Sequence, residues 1–309
     1  MEMHTPNDRN LRCGMAALIG RANVGKSSLL NRMLGEKVSI VSPVPQTTRH
    51  PVRGILTDVR GQIVFLDTPG IHAAQTDLGR RMNRAARAAV EGVDVVLLVL
   101  DRAVPPRNED IGWMRRLLKR EELSPVFLVL NKGDQASDFS GAYRKAWDEA
   151  VAQKPLPPPV RTFAVSALTG DGVEKLGNAL SDAMPIGPLL FPEDVLTDYP
   201  RRLAIADTVR EKLFLRLSDE VPHRVAVWVD DLIETPEGWL VETTVIVERH
   251  SQKGIVIGRK GRMLRAVRRA SEADLREAYG RPVTVHLHVK VEPKWTRNYW
   301  ILKKIGMAP

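Results

Sequence analysis

The sequence predicts an α/β protein, a doubly wound sheet followed by a smaller α+β domain. A glycine-rich turn, Gly20-Arg-Ala-Asn-Val-Gly-Lys-Ser27, lies between a short apolar run, Gly14–Ile19, and a helical pattern, Ser28–Leu34. Apolar runs of strand length then alternate with helical patterns, which implies parallel βαβ units. A proline-rich stretch at 186–200 ends the alternation, and the order beyond it becomes α-β-β-α-α-β.

In order along the first part, residues 35–51 carry three prolines and little periodicity, and read as a long loop. Val52–Asp58 and Gln62–Leu66 read as strands joined by the turn Val59-Arg-Gly61. Leu78–Glu91, rich in Ala and Arg, reads as a helix, and Val93–Leu100 as a strand buried on both faces. Helix at Glu109–Arg120, strand at Pro125–Leu130, helix at Ala142–Ala152, strand at Arg161–Val165 and helix at Val173–Met184 complete the alternation. In the second part, Arg201–Leu217 reads as a helix, and Arg224–Ile233 and Trp239–Glu248 as strands joined by a turn at Thr235–Gly238. A basic stretch with glycines, a helix at Arg262–Tyr279 and a strand at Val283–Val291 follow. The expected domains are 10–185 and 201–309, with 186–200 as linker.

Composition narrows the class. An apolar fraction of 43% is ample for buried cores. A lone cysteine, Cys13, excludes an internal disulfide and reads as a small buried residue, so the cytosol is the expected compartment. The polar stretch 1–10 lacks the apolar centre of a signal peptide, and no apolar run approaches the roughly 20 residues of a membrane span. Net charge is +9, and it is uneven. Residues 201–309 hold 21 Lys+Arg against 14 Asp+Glu, whereas residues 1–200 hold the remaining 25 against 23. Nucleic acid or an anionic membrane surface is the expected partner of the second part.

The turn at Gly20–Ser27 has the spacing G-x-x-x-x-G-K-S, the phosphate-cradling P-loop. Its amides form an anion nest at a helix N-terminus. Lys26 is placed to reach the outer phosphates and Ser27 to give its hydroxyl oxygen to Mg²⁺. Asp67-Thr-Pro-Gly70 ends a strand with the carboxylate that holds Mg²⁺ from the far side, and Gly70 can offer its N–H to the terminal phosphate. Asn131-Lys-Gly-Asp134 narrows the base, because a carboxylate can accept from the guanine N1–H and N2–H₂ edge, which adenine lacks. A buried Asp134 is expected there, and Ser166-Ala-Leu168 is placed to bring a backbone N–H to the guanine O6. Nucleotide contacts are therefore expected from Gly20, Arg21, Ala22, Asn23, Val24, Gly25, Lys26 and Ser27, from Asp67, Thr68, Pro69 and Gly70, from Asn131, Lys132 and Asp134, and from Ser166 and Ala167. The loop 35–51 becomes a nucleotide-sensitive switch in which Thr48, with Thr47 as the alternative, is the further Mg²⁺ ligand. Lys26, Thr48, Gly70 and Asn23 are the candidates for assisting hydrolysis. Ile71 stands where a glutamine would orient water, so slow intrinsic hydrolysis is expected. His72 is a weaker substitute than Asn23, whose side-chain carbonyl could ligate a monovalent cation beside the phosphates.

Between Lys253 and Arg269 there are seven basic residues and no acidic one. Within them, Gly258-Arg-Lys-Gly261 lies between two helices, the arrangement of a KH domain. Glycines there let a single-stranded RNA backbone approach, and Arg259 and Lys260 meet phosphate. RNA contacts are expected from Lys253, Ile257, Gly258, Arg259, Lys260, Gly261 and Arg265. His286 and His288 alternate on one strand face and read as exposed or facing RNA. Trp295–Lys304 mixes aromatic and basic residues, suited equally to packing and to stacking on RNA.

The P-loop, Gln46-Thr-Thr-Arg-His50, Asp67-Thr-Pro-Gly-Ile-His72 and Asn131–Asp134 motifs, followed by a type II KH order, resemble the Era family of bacterial GTPases over nearly the whole chain. Ala22 departs from the proline common in that family, and the Arg259-Lys260 centre is unusually basic. The resemblance implies a GTP-controlled protein that binds the 3′ end of 16S ribosomal RNA and assists maturation of the 30S subunit. It implies GTP, GDP and Mg²⁺ as ligands, with K⁺ held at Asn23 in place of the missing glutamine. It also implies a cytoplasmic protein with a peripheral share on the inner membrane. Two other classes fit less of the sequence. An RNA-modifying enzyme would need a catalytic cysteine or metal cluster, and Cys13 lies in the first part; a membrane-surface GTPase would set the basic face against anionic lipid.

Overall fold

The computed structural model describes residues 10–71, 77–119, 124–152 and 158–308. Their contacts separate them into two compact units. The first holds the described residues up to Val38, together with Val52–Thr68 and Arg87–Asp198. The second holds the chain from Tyr199 on, together with two segments from earlier in the sequence, Ser39–Pro51 and Pro69–Ala86.

The first unit contains β1 (Arg12–Ile19), α1 (Lys26–Leu34), β2 (Val52–Asp58) and β3 (Gly61–Asp67). After helix α2 (Asp77–Ala88) come β4 (Val95–Asp101), α3 (Asn108–Leu118), β5 (Val126–Asn131), α4 (Ser140–Val151), β6 (Val160–Ala164) and α5 (Val173–Ala183). The six strands form one sheet in the order β2-β3-β1-β4-β5-β6. All neighbours are parallel except the hairpin pair β2 and β3. Strands β4 and β5 are buried along their whole length, as strands covered on both faces must be. Leu29 and Leu30 of α1 and Leu176 and Leu180 of α5 pack against Leu18, Phe65, Leu97 and Val129 of the sheet. Cys13 is buried and free. The loops after β1, β3, β5 and β6 all leave the carboxyl ends of their strands, so one rim collects them.

The proline-rich stretch expected to be a linker is laid along the edge of this sheet. The side chain of Gln62, fully buried in β3, accepts from the Leu190 and Phe191 N–H groups at 2.9 and 2.8 Å. Ile55 donates to the Leu196 carbonyl at 2.8 Å, and Arg53 pairs with Asp198 at 2.7 Å. The buried glutamine is satisfied by this strap, and the contact boundary falls after Asp198.

The second unit contains α6 (Arg201–Phe214), β7 (Ala226–Thr235), β8 (Gly238–Val247), α7 (His250–Ile257), α8 (Arg262–Tyr279), β9 (Val283–Val291) and the short α9 (Tyr299–Lys304). The sheet order is β7-β8-β9, with β7 antiparallel and β9 parallel to β8. Its core joins Ile205, Val209 and Leu213 of α6 to Val241 and Val245 of β8, with Val267 and Leu275 of α8. A second apolar cluster joins Leu78 and Met82 of α2 to Trp228, Trp295, Ile301 and Leu302. Trp295 is fully buried, which decides for packing at that residue, whereas Trp300 is 71% exposed.

Candidate functional site

The nucleotide site is built on the rim of the first unit. Gly25 has φ 95°, and a Cβ there would come within 2.3 Å of the Asn131 Nδ2. A Cβ on Gly20 would meet the Val99 carbonyl oxygen at 2.4 Å. Both glycines are thus demanded by the protein's own packing as well as by an incoming phosphate. Val24 is fully buried in the core, Ala22 half-buried, and Asn23 exposed with a left-handed backbone at φ 63°. Helix α1 starts at Lys26, whose ammonium is nearly buried and donates to the carbonyls of Gly20 at 3.3 Å and Arg21 at 2.9 Å. Burial, with Arg21 beside it, lowers the Lys26 pKa to about 8 against the pull of Asp67 and Asp110.

The Ser27 hydroxyl donates to Asp67 Oδ2 at 2.6 Å, and Asp67 is fully buried. A carboxylate and a hydroxyl held this close are hard oxygen donors of the kind Mg²⁺ takes. Thr68, also expected to touch nucleotide, donates its buried hydroxyl to the Leu18 carbonyl at 2.7 Å. Pro69 and Gly70 are buried residues at the start of a segment of the second unit. Ile71 is half-buried, and His72 lies outside the described residues.

Asn131 acts as a tie between loops. Its Nδ2 donates to the Val24 carbonyl and its Oδ1 accepts from the Ala167 N–H, each at 2.9 Å. Asp134, expected to be buried, is exposed and accepts the Ser166 hydroxyl at 2.6 Å. The Ser166 N–H, one candidate for the base carbonyl, donates to Asp171 inside its own turn at 2.9 Å, and the Ala167 N–H is the one held by Asn131.

Arg21 faces inward, a feature no local sequence signal marks. Its guanidinium lies 3.3 Å from Asp110 and 3.4 Å from Asp101, and Lys132 pairs with the same Asp101 carboxylate at 2.7 Å. Tyr143 donates to Asp110 at 3.3 Å. Burial raises the Asp110 carboxyl above its ordinary range, opposed by the Arg107 amide and by Arg21. The P-loop is thereby fixed to the end of β4 and to α3.

The switch segment 39–51 is clamped within the second unit. Thr47 is buried, and its hydroxyl donates to the Val44 carbonyl at 2.6 Å and lies 2.7 Å from the Ser42 hydroxyl. Thr48, beside it, is half-buried. Arg210 of α6 donates to the Thr47 carbonyl at 2.9 Å and to Asp207 at 2.8 Å. His50 bonds to Tyr199 and lies 3.7 Å from Asp207, and Tyr199 donates to Asp207 at 3.0 Å. Burial pushes the Asp207 carboxyl up, but Arg210, His50 and Tyr199 outweigh it and hold the group below its ordinary range. Arg49 is inserted between Phe214 and Trp295, with ring centroids at 5.7 and 5.8 Å, and burial together with Arg210 lowers its pKa.

The basic face of the second unit is exposed where it was expected. Gly258 has φ 72°, and a Cβ there would sit 2.6 Å from the Met263 Cβ. Arg259 and Lys260 project into solvent between α7 and α8, and Lys260 has φ 51°. Arg265 is exposed and braces the turn by donating to the Lys260 carbonyl at 2.7 Å. Lys253, Ile257 and Gly261 are half-buried around it. His286 and His288 are exposed but share Glu242, at 2.6 and 3.2 Å. Among the described residues no group of His, Cys, Asp or Glu could hold a metal on its own, and no helix is long and apolar enough to cross a membrane.

A family described as 50S ribosome-binding GTPase matches residues 15–132, and the KH domain family matches residues 220–296. The chain is 41% identical to the GTPase Era of Geobacter sp. (strain M21), covering 97% of this chain and 99% of that one. It is 40% identical to the GTPase Era of Lacticaseibacillus paracasei over 95% of this chain and 96% of that one. Among solved structures, Aquifex aeolicus Era bound to GDP and AlF4⁻ superposes with a TM-score of 0.88 at 34% identity, covering 97% of this chain and 100% of that one. Era in complex with MgGDPNP and nucleotides 1506–1542 of 16S ribosomal RNA gives the same TM-score, identity and coverage.

Proposed function

The chain belongs to the Era family of GTPases, and from that premise we propose that it is a GTP-timed switch which binds the 3′-end region of small-subunit ribosomal RNA and assists 30S maturation. It binds GTP and GDP with Mg²⁺ and hydrolyses GTP to GDP and phosphate. The chemistry divides among this chain's residues as follows. Lys26 and the amides of Gly20–Ser27 hold the phosphates, including Arg21, Ala22, Asn23 and Val24 through their backbone. Asp134 accepts from the guanine edge, and Asn131 and Lys132 hold that loop in place. Ser27 and Asp67, with Thr48, would hold Mg²⁺, which would neutralise charge on the phosphates. Asn23 is the candidate ligand for K⁺, and Gly70 for an amide bond to the terminal phosphate. With Ile71 in the glutamine position, unassisted turnover is slow.

Coupling to RNA rests on one observation: the segment 39–51 packs in the unit that carries the KH face, through Arg49, His50 and the Thr47 carbonyl. A loop that reorganises with the γ-phosphate must remake those contacts. Arg259 and Lys260 then meet the RNA backbone, with Lys253, Ile257, Gly258, Gly261 and Arg265 shaping the turn and groove. Arg259→Asp with Lys260→Asp should abolish binding of a small-subunit 3′-end RNA while leaving GDP affinity intact. Wild-type RNA affinity in that variant would sink the assignment of the face. The protein is expected in the cytoplasm, with a peripheral share on anionic membrane carried by the basic excess of residues 201–309. Flotation with vesicles in the presence and absence of competing ribosomal RNA separates the two.

A further inference from the structure

A charged cleft of about 280 Å³ opens in the second unit, away from the Gly258–Gly261 turn in sequence. Its walls carry Asp77 and Arg80 from α2, Arg224 and Glu248 from either end of the β7–β8 hairpin, and Lys294 and Arg297 from the turn after β9. Among the described residues, four cations therefore face two carboxylates. The carboxylates act as supports: Asp77 pairs with Arg80 and lies 3.8 Å from Arg297, and Glu248 pairs with Arg224 at 3.1 Å. Two positive charges remain in excess. Trp295 fixes the walls together, being fully buried against Leu78 and Met82 of α2 while its indole N–H donates to the Arg224 carbonyl at 2.9 Å. Lys294 is held beside it on a left-handed backbone, φ 56° and ψ 29°, a conformation an ordinary side chain adopts at a cost.

We propose that this cleft is a second phosphate subsite, which takes a phosphodiester of the bound RNA outside the segment gripped by the Gly258–Gly261 turn. Guanidiniums pre-oriented by carboxylates, with an excess of positive charge, suit a phosphate with two free oxygens. One wall is α2, which begins after the Asp67–Gly70 motif in the sequence. The inference rests on the RNA-binding reading above.

The left-handed backbone supplies a clean variant, because Lys294→Gly deletes the ammonium and suits that conformation better. The full chain, loaded with a non-hydrolysable GTP analogue and Mg²⁺, is titrated with a small-subunit 3′-end RNA between about 50 and 200 mM salt. Lys294→Gly combined with Arg297→Gln should weaken binding about tenfold and lower the salt slope by about 1, with melting temperature and GDP affinity unchanged. Unchanged affinity and slope in that folded variant, while Arg259→Asp with Lys260→Asp loses binding, would overturn the subsite alone. A wild-type chain that binds no RNA would overturn both readings. Amine footprinting adds a second arm: RNA should protect Lys294 from acetylation, and protection by pyrophosphate without protection by RNA would make the cleft a small-anion site and sink the proposal.

Discussion

Replacing Arg210 by methionine removes a guanidinium that is 4% exposed and joins the Thr47 carbonyl to Asp207. Methionine keeps the apolar stem against Phe214 but offers no donor. Asp207 is then left with His50 and Tyr199 as partners in a buried setting. Removing one member of a buried ion pair costs about 3–5 kcal/mol, because the other charge stays desolvated. The pH dependence carries a definite sign. In the wild type the Asp207 carboxyl titrates below its unfolded value, so it stabilises the fold above that value and the contribution fades as pH falls through the native pKa. Without Arg210, burial dominates and the native pKa moves up, so the carboxylate destabilises at neutral pH and is relieved on protonation. Urea unfolding of the full chain, with hydrogen exchange read along α6 and β8, should therefore show a deficit of about 3 kcal/mol or more at pH 7 and a smaller one near pH 4. Adding Asp207→Asn should recover part of the loss, as coupled sites do. A deficit below about 1 kcal/mol, or one equal at both pH values, would refute this account of the clamp.

Further outcomes follow from the nucleotide rim. Gly25→Ala places a methyl against Asn131 on a backbone with φ 95°, and should cost about 2 kcal/mol and at least tenfold in GDP affinity, both read by calorimetry; unaltered melting would contradict the packing described. Arg21→Met leaves Asp101 and Asp110 without their guanidinium and should destabilise the first unit by about 3 kcal/mol, seen in denaturant, while RNA binding by the second unit persists. Asp134 is exposed, so Asp134→Asn should leave melting unchanged but weaken GDP binding about a hundredfold, with a gain for xanthosine diphosphate, whose O2 accepts from the new amide; equal loss for both nucleotides would argue against base reading at this residue.

The elements were legible where periodicity is strong. Helix α8 runs from Arg262 to Tyr279 and β9 from Val283 to Val291, the bounds that pattern and flanking glycines predict. Helix α2 was displaced, expected at Leu78–Glu91 and found at Asp77–Ala88, because helix ends depend on local bonds that alanine-rich sequence does not mark. The P-loop glycines were legible as a motif, but their reason was only half visible, since the Val99 carbonyl and the Asn131 amide are distant in sequence. Arg21, Arg49 and His50 were quoted as motif letters and proved to be connectors, the two arginines buried and His50 half-buried. A basic residue carries no local sign of whether its partner is a phosphate or a carboxylate some 80 to 160 positions away. The proline-rich strap was legible as a break in the alternation, while its attachment through Gln62 was not.

The most direct test of the switch is the affinity of the wild-type chain for a small-subunit 3′-end RNA in two nucleotide states, at one salt concentration, by fluorescence anisotropy. The GTP-analogue form should bind at least about tenfold more tightly than the GDP form, a coupling of about 1.4 kcal/mol. That difference should shrink in Arg210→Met, where the clamp on the switch segment is cut. Equal affinities in the two states of the wild type would contradict the claim that nucleotide controls RNA binding in this protein.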